Sequence, residues 1–238
     1  MVFKCKISAF THIISIFAVF FFLLGCNSVK HEQKKDTVVH AQPVIADDAE
    51  IKYDRSLRTP ILMRGDLSST KMLGEEDYEK CALLFIEHNK ELFNLSNPNQ
   101  ELNFDKMTMD KAGNHHLSFT RHHDNIPIWG DEFKIHFNQE GIIYLMNGRY
   151  HSSLPDSFSV IPELDSSEAT EIAKNEAKKT ENIDTVQEVE LVVYPTEQLH
   201  YLAYRININN GIQNTKNWDY FVDAAKGSII HKYNKIKY

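Results

Sequence analysis

Twelve histidines, three cysteines and 33 acidic residues are the groups in this chain that could hold a metal or move a proton. His31-Glu32-Gln33-Lys34-Lys35 begins like the helical zinc motif H-E-x-x-H, but Lys35 stands where the second imidazole must be. Two His four residues apart are needed to place both ligands on one helix face, so this segment cannot supply them. His115-His116 and His122-His123 are adjacent pairs. On one strand the spacing between the pairs spans about 20 Å, at roughly 3.3 Å per residue. Zinc–nitrogen bonds are about 2.0–2.1 Å long, so the two pairs cannot share an ion unless the strand folds back. The expectation is solvated or hydrogen-bonded strand histidines, with a structural cross-strand contact between His116 and His136 as an option.

Other chemistry is equally sparse. There is no Gly-rich phosphate loop and no Gly-flanked Ser elbow between a strand and a helix. Glu75-Glu76-Asp77 suits the positive end of a helix better than an acid/base pair. Trp129 and Trp218, with ten Tyr and fourteen Phe, lack the interleaved basic residues of a nucleic-acid stacking platform. A net charge of −7 also argues against a phosphate-binding surface. Nine Gly, seven Pro and three Cys exclude fibrous and disulfide-scaffold classes. These residues point to a protein that is not an enzyme, with no catalytic residue, no metal site and no cofactor.

The elements that would carry these residues follow from periodicity. Pro60–Met63 reads as a strand ending at Gly65. Gly74-Glu75-Glu76-Asp77 opens a helix with Tyr78, Cys81, Ala82, Phe85 and Ile86 at helical spacing. Cys81 on that apolar face reads as a buried structural thiol. Strands follow at 101–109, 115–122, 131–138 and 142–147; Phe133, Ile135 and Phe137 alternate with Glu132, Lys134 and His136. A helix capped by Asp165 or Ser166 runs to about Thr180. Four more strands are expected at 188–194, 200–208, 218–223 and 228–233. The fold class is α+β with two similar lobes, each a helix packed on an antiparallel sheet, divided at 57–150 and 151–238.

The first 25 residues contain Lys4 and Lys6, no acid and an apolar run, and without them the net charge would be −9. The run is short for a membrane span of roughly 20 apolar residues and suits a secretory leader. Leu23-Leu24-Gly25-Cys26 resembles the bacterial lipobox, which makes Cys26 the lipid attachment site. An uncleaved signal anchor beginning near Ile7 is the alternative. Residues 26–56 read as a polar tether. The expected location is the bacterial cell envelope, membrane-held through the lipid. Asn27 favours the outer membrane if the source has two membranes.

Pro60-Ile61-Leu62-Met63-Arg64-Gly65-Asp66-Leu67 and Phe85 to Phe93 resemble the pro-region of thermolysin-like secreted metalloproteases. The resemblance is strongest from His116 to Gly148, through Ile126-Pro127-Ile128-Trp129-Gly130-Asp131-Glu132 and Asn147-Gly148. The second half is similar to the PepSY module of the same pro-regions. It carries this likeness at Glu190–Pro195, Leu202–Arg205, Trp218–Ala224 and Lys226–Ile230. Pro127, Gly130, Asn147, Gly148 and Gly227 are expected to fix turns; Ile126-Pro127 would lie between strands, and Asn147-Gly148 suits positive φ. Two departures stand out. The family has Arg two residues after the His116 position and Gln three beyond that, where this chain has Ser118 and Arg121. The zinc-protease domain would follow just after Ile236, where this chain ends at Tyr238.

The resemblance implies a non-catalytic, lipid-anchored protein acting in trans as inhibitor or folding chaperone of a secreted thermolysin-like zinc protease. The tail Lys235, Ile236, Lys237 and Tyr238 is the candidate partner contact. Two alternatives stay open: an envelope binding or structural module without a protease partner, and a truncated metalloprotease precursor. No nucleic-acid partner is expected.

Overall fold

The computed structural model describes residue 45 and residues 49–196, 199–211 and 215–236. In chain order the first half contains β1 (Glu50–Tyr53), β2 (Pro60–Ser69), α1 (Thr70–Leu73), α2 (Tyr78–His88), α3 (Lys90–Phe93) and α4 (Pro98–Glu101). It continues with β3 (Leu102–Met109), β4 (His115–His123), β5 (Ile126–Phe137) and β6 (Ile142–Arg149). The second half contains α5 (Ser166–Glu181), β7 (Thr185–Pro195), β8 (His200–Asn209), β9 (Asn217–Asp223) and β10 (Ile229–Asn234).

Local chemistry sets the helix ends. The Asp77 carboxylate accepts from the Lys80 N–H at 3.1 Å and starts α2, which buries Cys81, Ala82, Phe85 and Ile86 against the first sheet region. Burial pushes the Cys81 thiol up to about 12, with Glu75 adding to the effect, so it stays protonated and inert. Asp165 and Glu168 form a reciprocal capping box on α5. That helix lays Ala169, Ala173 and Ala177 on Tyr204, Ile206, Ile208, Tyr220 and Val222. Three alanines on one face allow close helix–sheet approach.

The sheet is curled and mostly antiparallel, with strand order β1-β2-β6-β5-β7-β8-β9-β10 and β4 and β3 branching from β5. The two halves meet at one parallel pair, Ile128 with Val193. The two-lobe expectation is corrected to this extent: pairing runs continuously from β1 to β10. The first half also carries four short helical segments where one helix was read. The mixed α+β class holds. β1 falls within the stretch read as tether and pairs with β2. No helix among the described residues is long and apolar enough to cross a membrane.

Candidate functional site

Alternation on β4 sends Leu117, Phe119 and Arg121 inward, and on β5 it sends Asp131, Phe133, Ile135 and Phe137 inward. A cation and an anion are therefore carried into the interior on neighbouring strands. Arg121 is fully buried; its Nη1 donates to Asp131 Oδ2 at 3.2 Å and to the His151 carbonyl, and its Nη2 donates to Glu101 Oε2 at 2.6 Å. Asp131 also accepts from the His151 backbone N–H at 2.9 Å and meets His151 Nδ1 at 2.8 Å. Burial would raise the Glu101 carboxyl, but N–H and O–H donors from Asn97 and Ser153, with Arg121 beside them, hold it below its usual range. This network joins α4, β4, β5 and the segment after β6.

Trp129 follows on β5, where the ladder changes hands. Between the pairs Thr120–Glu132 and His122–Pro127, β5 advances five positions while β4 advances two. Gly130, at φ +81°, lies in that bulge, which releases Ile128 and Trp129 towards the second half. The Arg205 guanidinium carbon lies 4.7 Å from the Trp129 ring centroid, and Phe221 packs against the same indole at 5.2 Å. Arg205 is held by Asp219 at 3.2 Å, Glu190 at 2.8 Å and Glu188 at 2.7 Å. Burial alone would lower its pKa; Asp219 first, then the two glutamates, raise it and keep the cation fixed. His200 meets His151 edge-on at 5.2 Å, and its buried Nε2 has no hydrogen-bond partner. Burial, with His151 and Arg121 adding, lowers the His200 pKa.

Two cavities of about 490 Å³ flank Trp129-Gly130. One is polar, with Arg149, His151, Tyr194 and Thr196 on its walls. The other is apolar at Ile128 and Val192, with Glu132 and Glu190 beside them. Asp131 and Glu101 are committed to Arg121, Asp219, Glu188 and Glu190 to Arg205, and Glu132 pairs with Lys134. What the arrangement provides is a fixed surface between the two halves.

The sites expected from sequence are placed as follows. Cys26, Lys237 and Tyr238 lie outside the described residues. The Lys235 backbone N–H donates to the Asn217 carbonyl at 2.8 Å, its Nζ stands 3.9 Å from Asp219, and the Ile236 N–H donates to Asn234 Oδ1 at 2.9 Å. The tail is thus moored at the end of the sheet that carries Arg205. Pro127 does not make a turn; it lies in β5, and Asp124 and Asn125, at φ +48° and +66°, form the two-residue turn. Asn147 and Gly148 are also inside a strand, β6, because Gly148 permits close approach of β5: a Cβ there would sit 2.2 Å from the Glu132 carbonyl oxygen. Gly227 is in the β9–β10 turn at φ +68°. The Arg121, Asp131 and Arg205 networks were not expected as sites; opposite charges at inward positions of adjacent strands were the available signal.

In this seam arginines lock a sheet together beside a broad surface around an indole. Residues 100–150 match the Fungalysin/Thermolysin Propeptide Motif, and residues 163–233 match the Peptidase propeptide and YPEB domain. Neutral protease B of Bacillus subtilis (strain 168) is 25% identical over 195 residues, covering 79% of this chain and 36% of the relative. Thermostable neutral protease NprT of Geobacillus stearothermophilus is 25% identical over 212 residues, covering 80% and 36%. This chain therefore spans little more than a third of the length of those curated relatives. The Bacillus megaterium YpeB C-terminal domain aligns with a TM-score of 0.34 at 12% identity, over 81% of this chain and 92% of that one. The chain is a propeptide-like protein, with Arg121 and Trp129 in the first matched region and Arg205 in the second. The homology covers propeptide regions and not a protease domain.

Proposed function

We propose that this chain is a non-catalytic, lipid-anchored protein that acts in trans on a secreted thermolysin-like zinc protease, as inhibitor or folding assistant. The observation that carries this reading is the succession of two propeptide modules, residues 100–150 and 163–233, in one continuous sheet. Cys26 is the residue that would carry the lipid and hold the protein at the cell envelope, in the outer membrane of a two-membrane cell. The second half and the tail from Lys235 and Ile236 are the surface offered to the protease.

Purified protein is to be added to a thermolysin-like protease during and after its refolding. Dose-dependent loss of proteolysis, or a raised yield of active enzyme, supports the reading. Unchanged activity and unchanged yield over a large excess of the chain would overturn it. Incorporation of labelled fatty acid that disappears in Cys26→Ala tests the anchor separately.

A further inference from the structure

On the face of the first half opposite Arg121, β4, β5 and β6 assemble groups for which the propeptide reading has no use. His116 and His136 are directly paired across β4 and β5, with their Nδ1 atoms 2.6 Å apart. Their outer nitrogens are both occupied: His116 Nε2 lies 3.2 Å from Asp110 Oδ2, and His136 Nε2 lies 2.7 Å from Asn147 Oδ1. A carboxylate and an amide oxygen only accept, so each Nε2 carries the hydrogen. A neutral imidazole has one N–H, which leaves two Nδ1 lone pairs facing each other at 2.6 Å. A cation between the two Nδ1 atoms would satisfy both lone pairs at once. Histidines that bind metals show the same outer pattern, with the remote N–H held by a carboxylate or carbonyl oxygen.

We propose that His116 and His136 form a two-histidine site for a divalent transition-metal ion of the zinc, nickel and copper group, bound through both Nδ1 atoms. Metal–nitrogen bonds of about 2.0–2.1 Å at a tetrahedral angle set the two nitrogens about 3.3 Å apart, a small opening of the pair. Water completes the coordination, because no cluster of three or more His, Cys, Asp or Glu able to hold a metal occurs among the described residues. The groups facing the pair are Asp110, Asn147, Lys134 and the Tyr144 ring. Asp110 favours a bound cation and Lys134 opposes it.

The test is titration of the full chain with zinc chloride, followed by calorimetry and by the histidine ring resonances. The expected result is one equivalent of zinc and shifts confined to the rings of His116 and His136. His116→Gln and His136→Gln should each lower affinity at least about tenfold, and Asn147→Ala about 10–100-fold, with circular dichroism confirming the fold. No uptake at millimolar zinc, or uptake unchanged in both His→Gln variants, would overturn the proposal.

Discussion

Arg121 is the residue on which the first half depends most. It carries a fully buried charge between Asp131 and Glu101. Arg121→Met leaves both carboxylates uncompensated and should cost about 3–5 kcal/mol in urea unfolding. Arg121→Lys should recover little, since one ammonium cannot span Asp131, Glu101 and the His151 carbonyl together. The histidines give stability a pH dependence of defined sign. Burial holds His122, His136 and His200 below the ordinary value of 6.5. As pH falls through about 6.5 the unfolded chain takes up protons before the folded one, so these groups withdraw stability on acidification. Glu101, held below 4.5, adds a second loss at more acid pH as it protonates in the unfolded chain first. Thermal unfolding between about pH 7.5 and 5 should show Tm falling with pH, and His200→Gln should flatten the slope.

At the scale of elements, strand β6 is locked to β5 by a glycine rather than by side chains. Gly148→Ala places a methyl group 2.2 Å from the Glu132 carbonyl oxygen, so the strands must part there. A loss of about 1–3 kcal/mol is expected by chemical denaturation. Asp165→Ala removes two N-cap hydrogen bonds and half the capping box from α5, and should cost about 1 kcal/mol. Most long strands and both long helices were legible in the sequence, because alternation and helical spacing are local signals. The inward positions of Arg121 and Asp131 were legible in the same way, from Leu117-x-Phe119-x-Arg121 and Asp131-x-Phe133. What was hidden depends on distant partners. β1 is four polar-leaning residues that become a strand by pairing with β2. The Ile128–Val193 bridge and the Trp129–Arg205 contact join segments far apart in the chain, and no local pattern announces them. Asn147-Gly148 resembles a turn signal locally, yet close approach of β5 makes it strand.

At the scale of the whole molecule the propeptide-like sheet is continuous through the Trp129 seam. The seam rigidifies the two halves: Ile128, Leu154 and Val193 cluster on one part, while Trp129, Tyr194 and Phe221 cluster on another. Trp129→Ala removes the indole between Arg205 and Phe221; Trp129 is half-buried and borders both cavities, so the loss should be about 1–3 kcal/mol, below that of a fully buried aromatic. The tail at Lys235 and Ile236 hangs from the same sheet, so under the proposed function its contact with a protease depends on an intact second half. The most direct measurement is the caseinolytic activity of a purified thermolysin-like protease mixed with the purified chain, read alongside size-exclusion chromatography for a complex. The expected result is a stoichiometric complex with activity falling as the chain is added, or a higher yield when the protease refolds beside it. Full activity, unaltered refolding and no complex at micromolar concentrations would contradict it.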